Sequence, residues 1–257
     1  MIACSPNPQS LLKAAILQQL TGLQPHLNSA ELQQNLFDAV EKQDADHFSL
    51  PELIGRISAQ TSRSYSWIER YPGQRIALMI LFNLRNNRNA CDSVILPALA
   101  EALQQGPGFC ICGRGPFSAL FRRRSRDVGN EIHRMLGLIR FTETTEGDLI
   151  AQPKLFHCTA DLLLKKFRLR YPGRRLIFLL PDGALGLQHK QLFFIDRQDL
   201  PASMLNPKDD FEQLWETYYR SQYIPERKNI RLASHFIPKK YWDWLPEGKI
   251  LEQEAKN

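Results

Sequence analysis

The chain has 257 residues, 43% of them hydrophobic, 10% aromatic and 23% charged, with 16 Pro and 14 Gly. That composition excludes wholesale disorder and a coiled coil, and the length suffices for one large domain or two ordinary ones with a sizeable core. Lys and Arg number 33 against 27 Asp and Glu, a net charge of +6 that is too mild, taken whole, to name a partner.

The first 105 residues read as helical. Leu11, Leu12, Ala15, Ile16 and Leu20 share one face of a helix over 9–20. Ser29 is placed to cap a second amphipathic stretch carrying Leu32, Leu36, Ala39 and Val40. Ser49-Leu50-Pro51-Glu52 has the form of another helix start, since Pro is tolerated in the first turn. Helices over 73–87 and 92–105 complete the set, and Gly106-Pro107-Gly108 ends it. A short extended piece is expected at 109–112, then the end of a helix over 128–135 that stops near Gly137.

Strand patterns follow at 138–143 and 149–153, joined around Glu146-Gly147-Asp148. A helix over 159–171 has an apolar face (Leu162, Leu163, Phe167) and a charged one. Three short apolar runs come next, with tight turns at Pro181-Asp182-Gly183 and His189-Lys190. The ββαβββ order with hairpin-length links predicts an antiparallel sheet carrying one basic helix, an α+β arrangement. A linker at 200–207 leads to a helical, aromatic-rich end in which Asp209-Asp210 caps a helix. The expected organisation is a helical region 1–108, a basic α+β region 109–200, and a helical module 201–257 packed on the rest. The echo between Arg70-Tyr71-Pro72-Gly73 and Arg170-Tyr171-Pro172-Gly173 is too short to be a repeat.

Resolved by segment, the charge gains meaning. Residues 1–113 carry net −1, 114–175 net +8, 176–205 net −1 and 206–257 net 0. The basic segment holds eleven Arg to three Lys. Arg forks onto phosphates and stacks on bases, so nucleic-acid contact is expected, against the plainer alternative of a solvated helix face. The candidate contacts are Arg122, Arg123, Arg124, Arg126, Lys165, Lys166, Arg168, Arg170, Arg174 and Arg175, joined by Arg227, Arg231 and Lys239 near the C-terminus.

Two clusters carry candidate chemistry. In the first, a helix end bearing His133 and Arg134 adjoins a strand bearing Arg140, so two guanidiniums and an imidazole can gather around a phosphate. The alternative is an interfacial histidine with two surface arginines. The second runs from Trp215 to Glu247 and interleaves Tyr and Trp with Arg, Lys and His235, as single-strand binders do. Here the core reading is favoured for Trp215 and Trp242.

Nucleotide-binding loops, dinucleotide fingerprints, the Gly-x-Ser-x-Gly elbow and the zinc-deaminase pattern are all absent from the sequence. No apolar stretch approaches the roughly 20 residues of a membrane span, and the first residues lack signal-peptide features, so a cytoplasmic location is expected. The five cysteines (Cys4, Cys91, Cys110, Cys112, Cys158) read as free buried thiols, and neither a metal nor a cofactor is expected.

At the two clusters the chain resembles a bacterial family of DNA metabolism or DNA repair proteins. The resemblance is carried by Glu131-Ile132-His133-Arg134-Met135 with Gly137 and Arg140-Phe141, then by Phe167 with Tyr171-Pro172-Gly173. It continues through Phe211–Arg220, Ile224-Pro225-Glu226-Arg227, Asn229, Arg231, Pro238, Tyr241-Trp242 and Leu245-Pro246-Glu247. Genes of that family sit beside a radical-SAM protein, and related domains occur fused to uracil-DNA-glycosylase-like domains. The resemblance implies a DNA-binding repair or modification factor working with a partner enzyme, a radical-SAM protein among the candidates. The family's aromatic-Asp-Gly-Ser opening is missing, and Pro6-Asn7-Pro8 stands in its place. No Gly-Gln-Asp-Pro glycosylase motif is present either. Two alternatives stay open: a cofactor-independent nucleic-acid enzyme using His133 and His235 with Arg134 and Arg140, and a protein-docking scaffold.

Overall fold

The apolar repeats become helices in the computed structural model, which describes residues 1–27, 43–87, 91–201, 204, 214–215, 217–218, 221 and 229–255. Two compact units result, Met1–Glu131 and Ile132–Asn257.

In the first unit, helix α1 (Pro8–Thr21) begins where the Asn7 side chain accepts the Ser10 N–H at 2.9 Å, with Pro8 at the first turn. Pro6-Asn7-Pro8 therefore serves as a helix start. Helix α2 (Leu50–Thr61) begins at the predicted start, and α3 (Tyr71–Leu84) and α4 (Cys91–Gln105) match the predicted apolar helices. They bury Leu11, Ile16, Leu53, Ile57, Ile76, Ile80 and Leu99 in one core. The predicted helix through Leu32, Leu36, Ala39 and Val40 lies outside the described residues.

Two expectations for this region need correction. It is not wholly helical: β1 (Ile2–Cys4) is the middle strand of a three-stranded parallel sheet, between β2 (Pro25–Leu27) and β3 (Gln43–Asp44). Three-residue strands are too short to show a period, and only the complete burial of Ile2 and Cys4 marks their place. Nor is 109–112 extended. Pro107 takes the first position of a further helix, α5 (Pro107–Cys112), which Gly113 closes in the left-handed conformation.

Helix α6 (Pro116–Leu138) carries the densest positive charge. Its free N-terminal N–H groups find a carboxylate on α4: Glu101 accepts the Ser118 N–H at 2.8 Å and the Phe117 N–H at 3.4 Å, along with the Ser118 hydroxyl. Gly115 permits this approach, because a Cβ there would lie 2.4 Å from a Glu101 oxygen. Farther along, the buried Asn83 donates to the Phe121 carbonyl at 2.9 Å and so ties α3 to α6.

The cysteines divide. Cys4 and Cys110 are buried, but Cys112 and Cys158 are exposed, contrary to the expectation that all are buried. Burial pushes the Cys110 thiol up to about 11 from an ordinary 9.0. A thiol that stays neutral in the fold but ionises in the unfolded chain stabilises below pH 9 and loses that contribution as the pH rises to 11. Two units correspond to about 3 kcal/mol. Urea denaturation from pH 8 to 11 should show the wild type losing roughly that much more stability than Cys110→Ala; parallel curves would contradict it.

The second unit is built on a five-stranded sheet in the order β4 (Thr142–Glu143), β5 (Leu149–Ala151), β6 (Leu176–Leu180), β7 (Gly183–Gln188), β8 (Gln191–Asp196). The α+β class stands, but the sheet is mixed. β5 and β6 run parallel, while the other neighbours are antiparallel. The cause is α7 (Ala160–Arg170), a helical crossover that returns the chain to the same end of the sheet, as no hairpin link does. Near-continuous burial of β5 and β6 fits a parallel pair covered on both faces. Residue 138 ends α6 and does not begin a strand, so β4 is shorter than predicted.

Helix α7 buries Leu163, Leu164 and Phe167, and Phe141 packs edge-on against Phe167 at 5.1 Å and face-on against Phe178 at 5.7 Å. Within the predicted linker, Leu200 and Met204 pack into the cluster of Ile150, Ile177 and Leu179. Helices α8 (Ile230–Phe236) and α9 (Pro246–Ala255) follow, the first capped by Asn229. Tyr241 and Trp242 are buried between them, the Trp242 indole donating to the Ile237 carbonyl at 2.7 Å, which agrees with a core role. Asp209-Asp210 lies outside the described residues. Among those described, no helix is long and apolar enough to cross a membrane.

Candidate nucleic-acid interface

Helix periodicity decides which cations of α6 face outward. Phe121, Ser125, Val128, Ile132 and Met135 are buried at three- and four-residue spacing. Arg122, Arg123, Arg126, Asn130 and His133 are exposed and fall within about 100° of the helix circumference. They form one ridge roughly 17 Å long. Arg124 is only half-exposed, and its Nε is buried without a hydrogen-bond partner among the described residues. Arg134 lies beside the ridge, half-exposed.

On α7 the burial of Leu163, Leu164 and Phe167 leaves Lys165, Lys166, Leu169 and Arg170 on the open side. Arg170 reaches the Leu136 carbonyl at 3.3 Å, while Lys165, Lys166 and Arg168 make no ion pair among the described residues. Leu169, 78% exposed, sits in the middle of these charges. A leucine left open among cations is suited to a ligand that is anionic and partly apolar.

Among the described residues, four of the fourteen cations between residues 114 and 175 are spent in ion pairs. Arg174 meets Glu143 at 2.6 Å and also donates to the Gly147 carbonyl, and Arg175 meets Asp148 at 3.1 Å. Lys154 meets Asp243 at 2.5 Å and holds that carboxyl below the usual carboxylate range. Arg140 donates to both Glu247 oxygens, at 3.1 and 2.6 Å, with its guanidinium 4.2 Å from the centre of the Trp215 ring. The Glu247 side chain is only 5% exposed.

Arg140 thus ties the start of the sheet to α9, with its fork on Glu247 and one face against Trp215. His133 stands on the α6 ridge, and among the described residues no hydrogen bond or ion pair joins it to Arg134 or Arg140. Toward the C-terminus, Arg231 and His235 are exposed on α8, and Lys239 lies 5.7 Å from the Trp242 ring. Arg227 lies outside the described residues.

Among the described residues, two cavities of the second unit stand out. One, of about 630 Å³, lies at the carboxyl ends of β5 and β6, where open sheets with parallel strands hold ligands. Leu155, Leu179 and Leu180 line it, and the Trp244 indole is fixed at its wall by a 2.8 Å bond to the Gln152 carbonyl. The other, of about 470 Å³, lies between the end of α7 and the β7–β8 turn, and Arg168, Arg174, His189 and Lys190 line it. His189 and Lys190 were read from the sequence only as a turn, because charge counting finds runs and passes over isolated residues brought together by the fold. Among the described residues, no group of three His, Cys, Asp or Glu is placed to hold a metal ion.

Residues 90–247 match a family described as a domain of unknown function, DUF4130. No curated protein and no solved structure matches the chain.

Proposed function

The chain belongs to the DUF4130 family, and on that premise we propose that it is a DNA-binding repair or modification factor that works with a partner enzyme. One observation carries the reading: the cations exposed on α6 and α7 stand outside the internal ion pairs that hold Arg140, Arg174 and Arg175. Cations that meet no carboxylate among the described residues are available to displace counterions from a phosphate backbone. The resemblance to DNA-metabolism proteins supports DNA as the polyanion and a radical-SAM protein as the partner. The alternative enzyme built on His133 and Arg140 draws no support from the geometry, since Glu247 and Trp215 occupy Arg140.

Fluorescence anisotropy with duplex and single-stranded oligonucleotides, from 50 to 200 mM NaCl, tests the reading. Each phosphate contact contributes about 0.9 to the slope of log K against log salt on duplex and about 0.7 on single strands. A slope steeper than about −3 is expected. A slope near zero, or no binding at 50 mM, overturns the proposal.

A further inference from the structure

The β7–β8 hairpin closes with two residues, His189 and Lys190, between the paired Gln188 and Gln191. Both turn residues have positive φ, 47° and 78°, as the tight type I′ turn requires. Asn-Gly is the usual occupant of such a turn. Histidine tolerates the left-handed region better than most residues, but lysine gains nothing there and carries strain. Outliers of this kind cluster where a side chain is needed for contact with a ligand. Here both side chains line the 470 Å³ cavity opposite Arg168.

Its chemistry is one-sided. Arg168, Arg174, His189 and Lys190 supply every ionisable group of the lining, none of them acidic, and the remainder is Leu169, Pro172, Gly173 and Leu187. Arg174 is already paired with Glu143, whereas Arg168, His189 and Lys190 make no ion pair among the described residues. The volume lies within the roughly 300–1,000 Å³ of small-ligand sites and far exceeds a bare phosphate. Arg168 and Leu169 also join this cavity to the basic outer side of α7.

We propose that this cavity holds one nucleotide unit of a nucleic-acid strand, its phosphate on Arg168, His189 and Lys190 and its sugar or base against Leu169, Pro172 and Leu187. The proposal rests on the DNA-binding reading and adds to it a site at which a single nucleotide leaves the helix faces and is gripped.

The test is the double variant His189→Asn, Lys190→Gly, which installs the preferred turn and so cannot fail for want of folding. Its Tm should rise by about 2–4 °C. Its affinity for labelled oligothymidylate should fall roughly tenfold, with the salt slope shallower by about 0.7, the share of the one cation removed, Lys190. Thymidine 5′-monophosphate should compete with the oligonucleotide on the wild type at millimolar concentration, and inorganic phosphate at the same concentration should not. A stabilised variant that binds oligothymidylate as the wild type does would overturn the site while leaving DNA binding intact. Competition by inorganic phosphate equal to that by the nucleotide would assign the cavity to a free anion and overturn the nucleotide assignment. A wild type that binds the mononucleotide but no oligonucleotide would keep the cavity and sink the DNA reading. Binding of none of these probes would sink both.

Discussion

Arg140→Ala lowers the unfolding free energy by about 3–5 kcal/mol, the range for removing one partner of a buried, hydrogen-bonded charge pair. The residue left behind is Glu247, with 5% of its side chain exposed and both oxygens deprived of the donors they now accept from. Glu247→Ala costs less, because the orphaned guanidinium is 28% exposed and keeps the Trp215 face 4.2 Å away. Replacing both, Arg140→Met with Glu247→Leu, returns most of the loss, since no unpaired charge then remains in the interior. Urea denaturation of the four proteins measures the coupling directly. Single variants within about 0.5 kcal/mol of wild type would show that the pair is not formed in solution. Because Arg140 is directed inward, its loss should appear as stability and leave the salt slope of DNA binding unchanged.

Arg122→Gln, Arg123→Gln and Arg126→Gln together should show the converse: unchanged stability and weakened DNA binding. All three side chains are exposed on the α6 ridge, and among the described residues they make one hydrogen bond, a 3.4 Å contact from Arg122 to the Cys112 carbonyl. Removing exposed cations with so little local bonding changes the Tm little. Three lost phosphate contacts should make the duplex slope shallower by about 2.7 and weaken binding at 150 mM salt by on the order of 100-fold, across all sequences alike. An unchanged slope would move the interface off α6. Loss of affinity with the slope unchanged would point to base contacts in place of phosphate contacts.

Much of the local structure was legible in the chain because it depends on near neighbours. The helical character of α1, α3 and α4, the start of α2, the apolar runs of the β6–β7–β8 meander and the basic open side of α7 follow from patterns that neighbouring residues impose on one another. Helix α1, however, is buried all round from Ser10 to Leu17 and not on the one face its spacing suggests. The concentration of charge between residues 114 and 175 is equally a property of sequence. What periodicity did not show was short or mutual. The three-residue strands of the first sheet have no period to read, and the parallel pairing of β5 with β6 depends on where a helical crossover returns the chain.

The net charge of +6 and its gathering into one segment were determined by the sequence alone. Which of those cations can meet a ligand was decided only in three dimensions. Whether a guanidinium is spent depends on a carboxylate that lies anywhere in the chain, and 107 positions separate Arg140 from Glu247. The same folding turns Arg174 and Arg175 toward Glu143 and Asp148, leaves Arg122, Arg123 and Arg126 open along α6, and sets His189 and Lys190 across a cavity from Arg168. A charge count adds cations without regard to direction, whereas hydrogen bonding and burial assign each one to the interior or to solvent, and only the fold supplies those directions.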